Sequence, residues 1–175
     1  MMRHIFAGLL VATVMATDAA AGPLEDAAAA DQRDDYATAL KLLTTLAEQG
    51  DALAEARLGV MYYEGRHVAS DPLRDPRLPA DPGVPQDDVE AMKWFRLSAE
   101  RGYAPAQVFV GMAYEYGSSG LPEDLVLAHM WLSLAAAQGA KNAAELRDLF
   151  ALGMTPNQLA DAQRLAREWK PKPQH

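Results

Sequence analysis

Apolar residues recur three and four positions apart along most of this chain, the spacing that places them on one face of an α-helix. Glycines and prolines interrupt this pattern at short intervals. In residues 35–50, for example, an acidic start is followed by spaced leucines and then by a glycine. Acidic groups are favourable at a helix N-terminus, and glycine readily adopts the left-handed conformation that ends many helices. The chain is therefore predicted to consist of short helices joined by tight turns.

Three of these helical segments superpose without gaps, which indicates an internal repeat. They open on the acidic pairs Asp34-Asp35, Asp87-Asp88 and Glu123-Asp124, and they end at Gly50, Gly102 and Gly139. A preceding helix also matches in two units, where Ala54, Leu58, Gly59, Tyr62 and Gly65 align with Ala106, Val110, Gly111, Tyr114 and Gly117. Each unit thus contains two helical patterns, and Leu24 to Gln32 supplies a short first helix to the unit that ends at Gly50.

The spacing of the repeats locates an insertion. Gly50 and Gly102 lie 52 residues apart, whereas Gly102 and Gly139 lie 37 apart. Removing the 16 residues 67–82 restores a period of 36. This insertion holds four prolines, which forbid helix and restrict the residue before them, so we expect an extended loop. It is either a tolerated surface excursion or a segment that adds a specific contact.

A repeat of this length with two helices is an antiparallel hairpin, and stacked hairpins form a solenoid. The small residues of the first helix, such as Ala54 and Gly59, would let neighbouring helix backbones approach closely. Tyr62 and Tyr114 lie three positions after a glycine, on the same helical face, and would fill the space between hairpins.

Composition excludes several classes of protein. Alanine supplies 34 of the 175 residues and Val, Ile and Thr only 16, which nearly excludes a β-rich fold. The absence of cysteine removes disulfide scaffolds, thiolate metal sites and cysteine nucleophiles. The formal charge of −8 argues against nucleic acid, whose binding requires basic side chains to neutralise phosphates.

The first 21 residues have the pattern of an export signal. Arg3 and His4 form a short basic start, and Ile5 to Ala16 is an uncharged apolar run of 12 residues. Twelve helical residues span about 18 Å, whereas a bilayer core is roughly 30 Å thick. Small residues offer cleavage after Ala21 or after Ala16. We therefore expect an exported chain without a membrane span, in a bacterial periplasm or secreted; a buried N-terminal helix is the alternative.

Candidate chemistry is sparse. No two of the four histidines lie at metal-ligand spacing, and His129 is expected to pack within a helix. The acidic pairs could in principle act as general acid and base, but their recurrence at one repeat position favours a role at helix starts. Ser98 and Ser133 lack a nucleophile-elbow motif, and residues 117–120 lack the lysine of a phosphate loop. No cofactor, metal ion or catalytic residue is predicted.

These residues resemble the Sel1-like repeat family, a relative of the tetratricopeptide repeats, over roughly residues 24–170. The resemblance implies an all-α, right-handed solenoid of about four hairpins. In the family pattern, the first helix carries alanine, leucine, glycine and tyrosine in that order and ends at a glycine. The second helix carries alanine and tryptophan and ends in alanine and glycine. The residues of this chain that match the pattern are Ala54, Leu58, Gly59, Tyr62, Gly65, Ala91, Trp94, Ala99, Gly102, Ala106, Gly111, Tyr114, Gly117, Ala128, Trp131, Ala136 and Gly139. The implied organisation is a signal peptide (1–21), an N-terminal repeat (22–52), a repeat with the insertion (53–104), a further repeat (105–141), a capping hairpin (142–170) and a disordered tail (171–175).

The resemblance also implies a function, that of a non-catalytic adaptor or regulator which binds another protein in the bacterial cell envelope. The charge argues against nucleic acid as a partner, and the sequence leaves the oligomeric state open, with a monomer favoured. In the tetratricopeptide relatives the first helix of each hairpin lines a groove. By position, this implies groove residues Ala56, Val60, Tyr63, Glu64, Val108, Met112, Glu115 and Tyr116, a mixture suited to a basic peptide or helix. Packing of half of them against the neighbouring hairpin is the alternative. Two other functions remain open: a cell-wall or β-lactam-binding hydrolase, ascribed to a cysteine-rich branch of the family, and a passive structural spacer.

Overall fold

A computed structural model describes residues 22–65 and 83–173. Within these ranges the chain forms eight α-helices and no β-strand. The predicted signal segment and the insertion lie outside the described residues. The helices are α1 (Pro23–Gln32), α2 (Tyr36–Glu48), α3 (Ala52–Glu64), α4 (Asp88–Glu100), α5 (Ala104–Tyr116), α6 (Leu125–Ala137), α7 (Ala143–Ala151) and α8 (Pro156–Glu168).

The helices stack in chain order. Each helix from α1 to α6 packs against the next helix in the chain, and α6 also packs against α8. Contacts made mainly between elements adjacent in sequence are the hallmark of a repeat solenoid. The prediction of an all-α repeat solenoid is confirmed.

Aspartate side chains cap the starts of four helices. Asp35, Asp51, Asp87 and Asp124 each accept a hydrogen bond from a backbone N–H in the first turn, with donor–acceptor distances from 2.8 to 3.1 Å. These bonds satisfy amides that the helix itself leaves without partners. The recurring acidic residues thus act at helix starts through direct capping, in addition to their charge.

Left-handed glycines end the repeated helices. Gly50, Gly102 and Gly139 follow α2, α4 and α6 with φ of +83°, +97° and +75°. A side chain would strain the backbone in this region, which explains the glycine at the same repeat position.

Two helical glycines allow the closest approaches in the core. A Cβ at Gly59 would lie 2.6 Å from the ring of Phe95, which is completely buried. A Cβ at Gly111 would lie 3.0 Å from Leu132 and 3.1 Å from the carbonyl oxygen of Ala128. At these points a side chain of the second helix packs directly on the glycine backbone of the first helix, and a larger residue in place of the glycine would force the two helices apart.

The C-terminal helices close the stack. Thr155 and Gln158 form a capping box at the start of α8: the Thr155 hydroxyl accepts from the Gln158 backbone amide, and the Gln158 side chain accepts from the Thr155 backbone amide. Ala162 is the buried residue of α8, and most of its remaining surface is polar and exposed. α7 and α8 lie against α6 and give the solenoid a polar end.

Candidate functional site

Four of the eight residues that were predicted to line a groove are buried in the core. Ala56, Val60, Tyr63 and Val108 are buried. Tyr63 packs edge-to-face on Phe109, with ring centroids 5.2 Å apart. These four side chains pack between helices and are not open to a partner, so their assignment to a groove surface is wrong and the packing alternative holds for them.

The other four groove residues lie nearer the surface. Glu64, Met112 and Glu115 are partly buried, and Tyr116 is 48% exposed. The Tyr116 ring stands edge-to-face to Phe150 of α7 at 6.3 Å. Burial raises the pKa of Glu115, and the nearby Glu123 raises it further. Binding of a partner to these four residues stays a prediction.

The repeat-signature residues lie mainly inside the stack. Tyr62, Trp94 and Ala136 are partly buried, as is Gly102, and the turn glycines Gly117 and Gly139 are exposed. Gly65 and Gly117 end α3 and α5 in the left-handed conformation. The buried members are Ala54, Leu58, Gly59, Ala91, Ala99, Ala106, Gly111, Tyr114, Ala128 and Trp131.

A buried ion pair, which the sequence analysis missed, joins the two helices of the second hairpin. Glu55, near the start of α3, is only 1% exposed, and its Oε1 accepts from Arg101 Nε at 2.9 Å. The guanidinium also covers Gly50, where a Cβ would lie 2.8 Å from Arg101 Cζ. Burial raises the pKa of Glu55 above its ordinary value; the hydrogen bond and positive charge of Arg101 oppose that rise. The sequence offers no signal for this pair beyond a glutamate directly after the small Ala54.

An uncharged pair occupies the same place one repeat later. Gln107 follows Ala106 as Glu55 follows Ala54, and Gln138 precedes Gly139 as Arg101 precedes Gly102. Gln138 Nε2 donates to Gln107 Oε1 at 2.9 Å, and Gln107 in turn donates to the carbonyl oxygen of Ala99 at 3.2 Å. Both repeats therefore place a polar contact at the same position, between the first helix and the end of the second helix.

The C-terminal segment, residues 169–173, docks onto the turn between α4 and α5. The Lys172 N–H donates to the carbonyl oxygen of Glu100 at 2.8 Å, and its ammonium group pairs with the Glu100 carboxylate. Arg101 donates to the carbonyl oxygen of Pro173. The expectation of a disordered tail is therefore wrong for residues 171–173, because α8 delivers them to polar groups far away in sequence; residues 174–175 lie outside the described residues.

Trp169 anchors the start of that segment. Its backbone leaves α8 in an extended conformation, and its ring stands edge-to-face to Trp131 of α6 at 6.1 Å. Gly102 lies directly beneath this segment, since a Cβ at position 102 would lie 3.6 Å from Pro171 and 3.7 Å from Trp169. We call the surface formed by Glu100, Arg101, Gly102 and Trp131 the turn site.

His129 packs within α6, where its side chain is buried. Its Nδ1 lies 3.3 Å from the Ser133 hydroxyl. Burial lowers the pKa of His129, and the positive charge of Arg147 lowers it further, with Asp148 acting in the opposite direction.

No group of three His, Asp or Glu side chains within residues 22–65 and 83–173 is arranged to hold a metal ion. In the same ranges, each helix is too short or too polar to span a bilayer.

Comparison with protein families matches the Sel1 repeat in four consecutive segments, residues 29–51, 52–75, 80–103 and 104–139. The chain belongs to the Sel1 repeat family. The matched segments include α2 to α6, which form the repeated part of the stack. Residues 76–79, between the second and third Sel1 segments, lie within the predicted insertion, and the predicted capping hairpin lies beyond the last segment.

Two relatives are larger proteins. The chain is 30% identical over 109 residues to Chitin synthase regulatory factor 4 of Schizosaccharomyces pombe, which covers 62% of this chain and 15% of that protein. It also resembles the crystal structure of c5321, a protective antigen present in uropathogenic Escherichia coli strains that displays an SLR fold. The TM-score is 0.62 and the sequence identity is 23%. That match covers 95% of this chain and 29% of the other. The second likeness shows the fold alone, and the chain spans less than a third of either relative.

Proposed function

We propose that this protein is a non-catalytic adaptor or regulator that binds another protein in the bacterial cell envelope. The observation that carries the proposal is the run of four consecutive Sel1 segments, because Sel1 repeats generally mediate protein–protein interaction. A solenoid of this kind buries its large side chains between hairpins and offers an extended outer surface to partners.

Two further points support the proposal. The yeast relative is by its name a regulatory factor, which agrees with a regulatory role for a Sel1 segment within a larger protein. The apolar run from Ile5 to Ala16, with its basic start and small residues, supports export to the envelope.

Crosslinking in intact cells tests the adaptor function. The chain would carry an affinity tag placed after the signal segment, and captured proteins would be identified by mass spectrometry. We expect one dominant envelope partner. Absence of any enriched protein across growth conditions would overturn the adaptor function and favour a small-ligand or enzymatic role.

Matched variants locate the surface in the same experiment. Tyr116 and Val89 are equally exposed apolar residues, at 48% and 49%. Loss of the partner in Tyr116→Ala but not in Val89→Ala would place the contact at the predicted groove. The hydrolase alternative makes a separate prediction, namely β-lactam or muropeptide cleavage that survives purification and disappears with one point change.

A further inference from the structure

The segment Trp169 to Pro173 lies on the turn site as a peptide lies on a receptor. The segment has no helical hydrogen bonds of its own beyond Trp169, and its contacts with α4 are one backbone hydrogen bond, one ion pair and one arginine–carbonyl bond. Aromatic anchoring at one end and main-chain hydrogen bonding along the rest is a recurrent mode of recognising extended peptides.

The turn site favours a basic ligand for two physical reasons. Glu100 is the last residue of α4, so its carbonyl oxygen is one of those left without an intrahelical partner at the negative end of the helix dipole. Its carboxylate lies at the same place and pairs with Lys172. A backbone N–H followed by a cationic side chain satisfies both groups at once.

The same site also favours proline in the ligand. Pro171 lies over Gly102, where the missing side chain leaves a flat contact, and proline holds its backbone near the extended conformation without needing a hydrogen-bond acceptor. Pro171 and Pro173 flank Lys172, whose N–H is the one that donates to α4.

The docked segment is held weakly enough to be displaced. The side chain of Lys172 is 62% exposed, and an ion pair with one partner this open to solvent contributes little to stability. A tethered ligand nevertheless competes at an effective concentration on the order of millimolar.

We propose that the turn site is a binding site for an extended, basic, proline-containing segment of a partner protein, and that residues 169–173 occupy it as an intramolecular competitor. This inference rests on the adaptor function and adds the chemistry of the partner. Contact with a partner requires the C-terminal segment to leave the turn site, so partners with a stronger basic segment are selected over weak ones.

The test is an NMR titration of the full ¹⁵N-labelled chain with the synthetic peptide Trp-Lys-Pro-Lys-Pro, blocked at both ends. Lys172→Glu repels Glu100 and releases the native segment. We expect saturable shifts of the amides of residues 100–103 in this variant, with an affinity at least tenfold higher than in the wild type. Lys170→Glu makes the same charge change two residues away and should behave as the wild type.

Glu100→Gln, introduced into the Lys172→Glu chain, should weaken peptide binding, and circular dichroism would verify that the variant is folded. The peptide Trp-Glu-Pro-Glu-Pro should not bind. Absence of saturable binding to Lys172→Glu, or equal affinities in Lys172→Glu and the wild type, would overturn the inference. Capture of a partner in cells combined with either result would leave the adaptor function standing, so the two failures are distinguishable.

Discussion

Arg101 donates to the buried carboxylate of Glu55 in the same place where Gln138 donates to Gln107 one repeat later. One repeat thus contains an ion pair and the next an amide pair, within the same helix geometry. A buried charge is costly unless it is paired, whereas a buried amide needs only its hydrogen bonds. Removing one partner should therefore destabilise the repeat with the ion pair more than the repeat with the amide pair.

Arg101→Gln is expected to lower the free energy of unfolding by roughly 3 kcal/mol, because it leaves the Glu55 carboxylate buried without its cation. The double variant Glu55→Gln/Arg101→Gln reproduces the Gln107–Gln138 pair and should recover most of that loss. Urea denaturation of the wild type, both single variants and the double variant measures the coupling. A double variant as unstable as Arg101→Gln would contradict this account.

The stability difference between Glu55→Gln and the wild type should change with pH. Burial raises the folded-state pKa of Glu55 above its ordinary value near 4.5. The stabilisation from this group is therefore fully present below the ordinary pKa and is lost as pH rises through the folded-state pKa. Glutamine does not titrate, so the variant should become more stable relative to the wild type as pH rises from the ordinary pKa of glutamate through the raised folded-state pKa of Glu55. Urea denaturation at several pH values checks this, and a pH-independent difference would disprove it.

Gly59→Ala and Gly139→Ala separate close packing from backbone conformation. A Cβ at position 59 would overlap the Phe95 ring, and inserting atoms into a packed core typically costs about 1–3 kcal/mol. A Cβ at position 139 would meet nothing within 4 Å, but its φ of +75° is left-handed, which costs roughly 1–2 kcal/mol. Thermal unfolding should show both losses, and Gly59→Ala/Phe95→Leu should relieve only the first. No relief in that double variant would refute the packing explanation.

Asp124→Ala should destabilise the chain by about 1 kcal/mol, because the Leu127 amide loses the carboxylate that accepts its hydrogen bond at 2.9 Å. Glu123→Ala removes the same charge one residue earlier and should be nearly neutral. Denaturant unfolding of the two variants distinguishes capping from a general effect of negative charge near the helix start. Equal losses would show that charge alone is responsible.

The helices and their order follow from local signals in the sequence. Aspartates at helix starts and glycines at helix ends act within one turn of the chain, so their positions are readable without knowledge of distant contacts. The repeat then fixed which helices are neighbours, because stacked units contact only the next unit. The composition, rich in alanine and poor in β-branched residues, agrees with the same all-α result.

Side-chain accessibility, by contrast, depends on the packing of the hairpins and could not be read from the sequence. Ala56, Val60, Tyr63 and Val108 lie on helices where sequence position suggested a groove, yet all four are buried, Tyr63 against Phe109 of the next hairpin. The pairing of Glu55 with Arg101 and the docking of Lys172 on Glu100 join residues 46 and 72 positions apart. Such contacts depend on how the hairpins stack and where α8 delivers the chain end, and no local pattern in the sequence records either of them.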